Sequence, residues 1–227
     1  MKHFIIATLL ISLSGFNSKA FAQEINWTNL QQERHVLNIN TGLMHGVVLG
    51  AGYGYRLKTR MPVILQAEYS FPAGKRLTDD FKSKLGGQVR LYQINNFHVS
   101  AKIAGIFRRH ENTLVRMVNF GSDFSATLGY YKPKWFVAGD FGFDKAIVTH
   151  FKHTEVYRDI FPEVKNGWYQ PSTGGNFNYG LQIGYSFKRS DIYLKAGKLL
   201  TQDFKTKPFV PLYIQLGYTF RMDAVKK

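Results

Sequence analysis

The sequence predicts an all-β fold, an antiparallel up-and-down transmembrane barrel of about ten strands, with eight as the lower count. Three observations predict it. Segment after segment alternates apolar with small or polar residues, the connections between segments alternate in length, and aromatic residues gather at one set of segment ends.

The first residues form a tripartite export signal: Lys2 is the positive head, residues 4–13 are apolar, and Ala20-Phe21-Ala22 is a small-x-small cleavage site. The apolar stretch is about half the roughly twenty residues of a spanning helix. A signal peptide is therefore expected at 1–22 and a single barrel domain at 23–227. Beyond it, polar residues or glycine interrupt the chain every few positions, which excludes an inner-membrane helical protein.

The clearest strand sets Phe177, Tyr179, Leu181, Ile183, Tyr185 and Phe187 against Asn178, Gly180, Gln182, Gly184 and Ser186. A second sets Val47, Leu49, Ala51, Tyr53, Tyr55 and Leu57 against Val48, Gly50, Gly52, Gly54 and Arg56. The same period places strands near 35–43, 46–57, 62–71, 83–93, 97–109, 114–131, 135–151, 176–188, 191–203 and 210–221. Short turns fall at 58–61, 95–96, 132–134 and 188–190, and longer links at 72–82, 152–175 and 204–209, while the links on the far side at Met44-His45 and 110–113 are short as well. Membrane barrels carry tight turns on the periplasmic side and longer loops outside, and an even strand number brings both termini to the periplasmic side. At that end Tyr55, Phe97, Tyr130, Trp135, Phe187 and Phe220 share the apolar phase, as an interfacial girdle requires.

The last strand alternates Leu212, Ile214, Leu216, Tyr218 and Phe220 with Tyr213, Gln215, Gly217 and Thr219. It resembles the C-terminal insertion signal of small bacterial outer-membrane β-barrel proteins, although Arg221 to Lys227 follow the aromatic residue. The resemblance implies a Gram-negative-type outer membrane, insertion by the barrel-assembly machinery, and contact with outer-membrane lipid and lipopolysaccharide. It leaves the subfamily unresolved.

A soluble barrel of opposite phase, apolar side inward, is the structural rival. The uncharged second face of the 178–186 and 213–219 strands argues against it, because water-facing strands normally carry Lys and Glu. Lys198 shares the phase of Ile192, Leu194 and Leu200, so it is expected near an interface or at a bulge. The absence of cysteine removes disulfide staples, leaving closure and burial to hold the domain.

On the lumen phase fall Gln66, Glu68, Arg90, Lys102, Asp123, Asp140, Asp144, Lys195 and Gln215, expected as a buried charge network with Glu68 and Arg90 as one pair. No catalytic group stands out. Asp140 and Asp144 lie about 13 Å apart along an extended strand, His150 and His153 point to opposite faces, and no G-x-S-x-G, phosphate loop, cofactor motif or metal-ligand spacing is present. The 155–175 loop carries Tyr157, Phe161, Trp168 and Tyr169, either for recognition of an unidentified surface or periplasmic partner or as a plug over the mouth. The net charge of +15 falls to +13 once Lys2 and Lys19 leave with the signal. That surplus suits anionic surfaces, and export carries the chain away from nucleic acid. Lys75, Arg76, Lys82, Arg108, Arg109, Arg116, Lys205 and Lys207 are placed at the outer rim as candidates for lipopolysaccharide phosphates. The expected role is structural, surface-interacting or assembly-related. A narrow channel for small solutes and an outer-membrane hydrolase or acyltransferase are the alternatives.

Overall fold

The computed structural model describes residues 25–223 apart from 31–32, 44–45, 74–77, 172–173, 207 and 209. The expected signal peptide, and the turn expected at Met44-His45, lie outside the described residues. After a 3-10 turn at Trp27–Asn29 the wall runs through β1 (Glu33–Leu43), β2 (Val47–Arg56), β3 (Val63–Pro72), β4 (Asp80–Ile94), β5 (Phe97–Glu111), β6 (Val115–Tyr131) and β7 (Trp135–His153). A loop with helix α1 (Glu155–Ile160) and the short strand β8 (Gly167–Tyr169) leads to β9 (Gly175–Phe187), β10 (Ser190–Thr201) and β11 (Leu212–Asp223).

Ten of these strands form a closed antiparallel barrel. Sequential neighbours pair from β1 to β7, β7 pairs with β9, and β11 returns to β1. Closure leaves no wall strand with an open edge through the lipid-crossing zone, the condition for backbone to cross hydrocarbon. All ten expected segments are present. β4 starts at Asp80, three residues before its expected start, and β5 and β7 run on to Glu111 and His153.

The pleat decides between the two phases. Leu85 is 72% exposed and Leu181 66%, whereas Glu68, Lys102 and Gln182 are buried. The outside is apolar and the inside polar, the reverse of a water-soluble barrel. Lys198 is exposed opposite Leu212, the first residue of β11, and lies three residues before the end of β10, toward the end of the strand where a lysine stem can snorkel.

Two aromatic belts bound the apolar band. At the end holding both termini, Phe97 packs on Tyr130 at 4.9 Å between ring centroids and Tyr130 on Trp135 at 5.6 Å, with the Lys132 ammonium 5.6 Å above Trp135. At the far end Tyr69, Phe81, Phe107 and Phe120 touch in sequence across β3 to β6. Phe97 and Phe107 are ten residues apart on β5. That is about 33 Å of strand, or about 25 Å of height at the usual tilt, the thickness of an outer-membrane apolar band.

The tight turns close the near end. The β4–β5 turn holds Asn95 at φ 50° and the β9–β10 turn holds Lys188 at φ 51°. Asn tolerates this left-handed geometry well, and lysine does so only where the turn imposes it.

Candidate functional site

The lumen is built in two layers. Near the termini it is apolar and aromatic: Trp27, Tyr131, Phe136 and Tyr193 cluster with Ile25, Leu30, Val36 and Ile64. Phe136 and Tyr193 lie flat on the wall because the facing positions are Gly184 and Gly217, where a Cβ would stand 2.1 Å from each ring.

The segment before β1 makes the floor of this layer. The Asn26 amide donates to the Lys132 carbonyl and to Ser186 Oγ, both at 2.9 Å, and its Oδ1 accepts from the Thr28 amide at 3.1 Å. Thr28 Oγ1 donates to the Tyr131 carbonyl at 3.1 Å and the Asn29 amide to that of Pro133 at 2.8 Å. These bonds hold Trp27 under the lumen with 3% of its surface exposed, beneath the Arg90 guanidinium at 5.9 Å. Sequence periodicity could not reveal this floor, since a six-residue irregular segment has no period. The Asn26-x-Thr28 capping pattern beside an apolar Trp is the only local trace.

Above the floor the lumen is charged. Lys82 meets Asp144 at 3.3 Å, Lys84 meets Asp123 at 2.6 Å, Lys195 meets Asp140 at 3.1 Å, and Lys102 is bonded to Glu68. The pairs cross the lumen from β4 to β7 and β6, from β5 to β3, and from β10 to β7. At the base Arg221 binds Asp191, both side chains wholly buried, and donates to the Lys188 carbonyl at 3.1 Å. At the top Asp80 receives His110 at 3.0 Å and Arg108 at 3.6 Å. Buried charges are tolerable only when paired in this way.

Glu68, Lys102, Asp123, Asp140, Asp144 and Lys195 are each buried in one of these pairs. The expected Glu68–Arg90 pair does not form. Lys84 stands opposite Glu68, and Arg90 lies six residues further along β4, about 20 Å away. Lys82 and Arg108, placed at the outer rim by sequence, point inward into ion pairs. Lys82 was misplaced because β4 begins earlier than its alternation suggested. Lys75, Arg76 and Lys207 lie outside the described residues. The strand resembling an insertion signal shows Leu212, Ile214, Leu216 and Tyr218 to the outside, with Phe220 half-buried. Arg221 does not trail behind it as a tail: β11 continues to Asp223, and Arg221 is the next lumen residue.

Asp140 and Asp144 have separate cationic partners, and Asp140 also accepts from the Tyr213 hydroxyl at 3.4 Å. His150 meets Trp168 edge-on at 4.9 Å, and His153 stacks on Tyr157 at 5.2 Å. Among the described residues no group of three or more His, Asp or Glu could hold a metal ion.

The long loop extends the wall. β8 pairs with β7 at Thr149, His150 and Phe151, above the point where β9 begins. Trp168 is 58% exposed on the outer face, where it touches Phe120 and continues the far belt. Tyr169 packs on Phe151, and Tyr157 lies between His153 and Phe161. In the β10–β11 loop, Asp203 accepts from the Thr206 and Thr201 hydroxyls and from the amides of Lys205 and Thr206. Those bonds, the Thr206 hydroxyl foremost, hold its carboxyl below the usual range.

No family model matches the sequence, and no curated protein matches it. Solved structures similar to the chain are membrane barrels. An outer-membrane channel from Pseudomonas putida F1 aligns over 89% of this chain and 100% of its own, at 11% identity and a TM-score of 0.49. The KdgM porin aligns over 82% and 99%, at 6% identity and 0.44. The de novo designed barrel TMB2.3 aligns over 86% and 99%, at 10% identity and 0.39. Likenesses of this size say nothing of ligand or role.

Proposed function

We propose that this chain is an integral outer-membrane barrel with a non-conducting lumen, serving as a structural and surface-presenting element and not as a pore or a catalyst. The observation that carries the reading is the filled interior, with cross-lumen ion pairs above and a Trp27 floor below. A pore needs a continuous wet path, and here the lysines that would line it are neutralised by carboxylates across the lumen. The apolar exterior between two aromatic belts supports the membrane location.

Two measurements test this. Fractionation with heat-modifiable gel migration should place the full chain in the outer membrane as a heat-shifting species, and a soluble periplasmic protein without the shift defeats the reading. In planar bilayers the refolded chain should be silent, and steady ohmic steps would replace the structural role with a channel. Trp27→Ala should then produce brief openings, because it removes the largest side chain of the floor.

A further inference from the structure

The charges above the far belt sort by face, and only some of them reach the lipid. Lys82, Arg108 and His110 turn into the lumen. On the outer face, Glu111, Arg116 and Lys152 form one cross-strand row over β5, β6 and β7, and Arg109 lies in the row beneath, opposite Val118. This row stands four residues above Phe107 on β5, about 13 Å along the strand, just beyond the belt of Phe107, Phe120 and Trp168.

The charges within the row do not balance. Glu111 is shared by Arg116, at 2.8 and 3.0 Å, and Arg109, at 2.5 Å. Arg116 and Lys152 are paired directly, which puts two like charges about 5 Å apart at Cβ, an arrangement that costs stability unless an anion sits between them. Both are exposed, and Lys152 makes no ion pair with the described residues. Glu111 thus serves two of the three cations, Asp79 also acts on Arg116, and Lys152 is left over at the height where the headgroups of the outer leaflet lie.

We propose that Arg109, Arg116 and Lys152 form a phosphate site for an anionic outer-leaflet lipid, with lipopolysaccharide as the occupant. The inference rests on the outer-membrane reading above and gives it a defined lipid contact. Arginine supplies the planar donor pair that phosphate oxygens accept, and lysine the mobile point charge beside it. The acyl chains of the same lipid would run down past Phe120 and Phe107, which makes the site continuous with the lipid-facing belt.

The test compares the full-length barrel with R109A/R116A/K152A and with K198A, a variant that removes an outward lysine on the opposite wall. Each is refolded in phosphatidylcholine vesicles, and its thermal unfolding is followed by loss of the heat-modifiable band while lipopolysaccharide or inorganic phosphate is added. The expected result is stabilisation of the wild type and K198A by lipopolysaccharide, an apparent affinity on the order of a hundredfold weaker for the triple variant, and no response to inorganic phosphate. Equal responses from folded wild type and triple variant overturn the site. A full response to inorganic phosphate overturns the lipid as its source. A wild type that never forms the heat-modifiable species overturns the barrel reading itself, which separates the two failures.

Discussion

The two walls of the barrel cross the same membrane with unequal strands. β4 to β7 have 15, 15, 17 and 19 residues, while β1 to β3 and β9 to β11 have 10 to 13. A tilted strand needs only about 9–11 residues to span the hydrocarbon. The short wall therefore ends near the far interface, and the surplus of the tall wall stands above it, carrying Arg109, Glu111, Arg116 and Lys152 outside and His110 and Arg108 inside.

The walls differ inside as well. The tall wall sends Lys82, Lys84 and Lys102 into the lumen, and the short wall faces it with Gly180, Gly184, Gly197 and Gly217 beside bulky rings. Adding a Cβ at any of these glycines would meet a ring or backbone within 2.6 Å. Bulk on one side is matched by its absence on the other, which lets the rings pack against the facing wall.

The comparison can be broken by experiment, and the largest effect belongs to the base of the short wall. Asp191→Ala leaves the buried Arg221 guanidinium without its carboxylate and should cost about 3–5 kcal/mol in urea unfolding of the vesicle-bound barrel. Glu111→Ala, which breaks half-exposed pairs on the tall wall, should cost under about 1 kcal/mol. Equal losses would mean that the two ion-pair environments are alike.

Lipid exposure separates the walls next. Leu181→Arg places a cation in the apolar band and should cost about 2–4 kcal/mol by the same unfolding measurement, whereas Val118→Arg, one row above the belt, should cost about 0–1 kcal/mol. A large penalty at Val118 would put the membrane higher on the tall wall than the belt of Phe107 and Phe120 implies.

Gly217→Val tests the small-against-large fit. Its side chain would overlap the Tyr193 ring, so a loss of about 1–3 kcal/mol is expected, and the double variant with Tyr193→Ala should recover part of it.

The smallest effect is local and depends on pH. The carboxyl of Asp203 is held below its unfolded value, so its support of the β10–β11 loop is complete above about pH 4 and fades as the pH falls through the folded value. The protection of the Lys205 and Thr206 amides against hydrogen exchange, taken relative to the intrinsic rate at each pH, should fall on acidification in the wild type and be low at every pH in Asp203→Ala.

Much of the wall was legible from local pattern. The alternation of 177–187 and of 212–220 is a property of neighbouring residues, and ten such runs with alternating short and long links allow few arrangements besides a closed meander. Phase alone puts Glu68, Lys102, Asp123, Asp140, Asp144 and Lys195 on one face of their strands, the face that is buried. It does not set their partners. Lys102 reaches Glu68 and Lys82 reaches Asp144 across strands that are not neighbours, and such contacts depend on the curvature and stagger of the closed barrel.

From the sequence by itself came a count of about ten strands, with eight as the lower bound, the alternation of faces and the end at which the termini meet, because each depends on a two-residue period and on turn length. Only the tertiary structure decided that Lys82 and Arg108 serve the lumen while Arg116 and Lys152 face the lipid, and that Trp27 closes the floor. The physical reason is range: alternation is written one residue at a time, whereas a charge finds its partner, and a floor its walls, only after the first and last strands have paired.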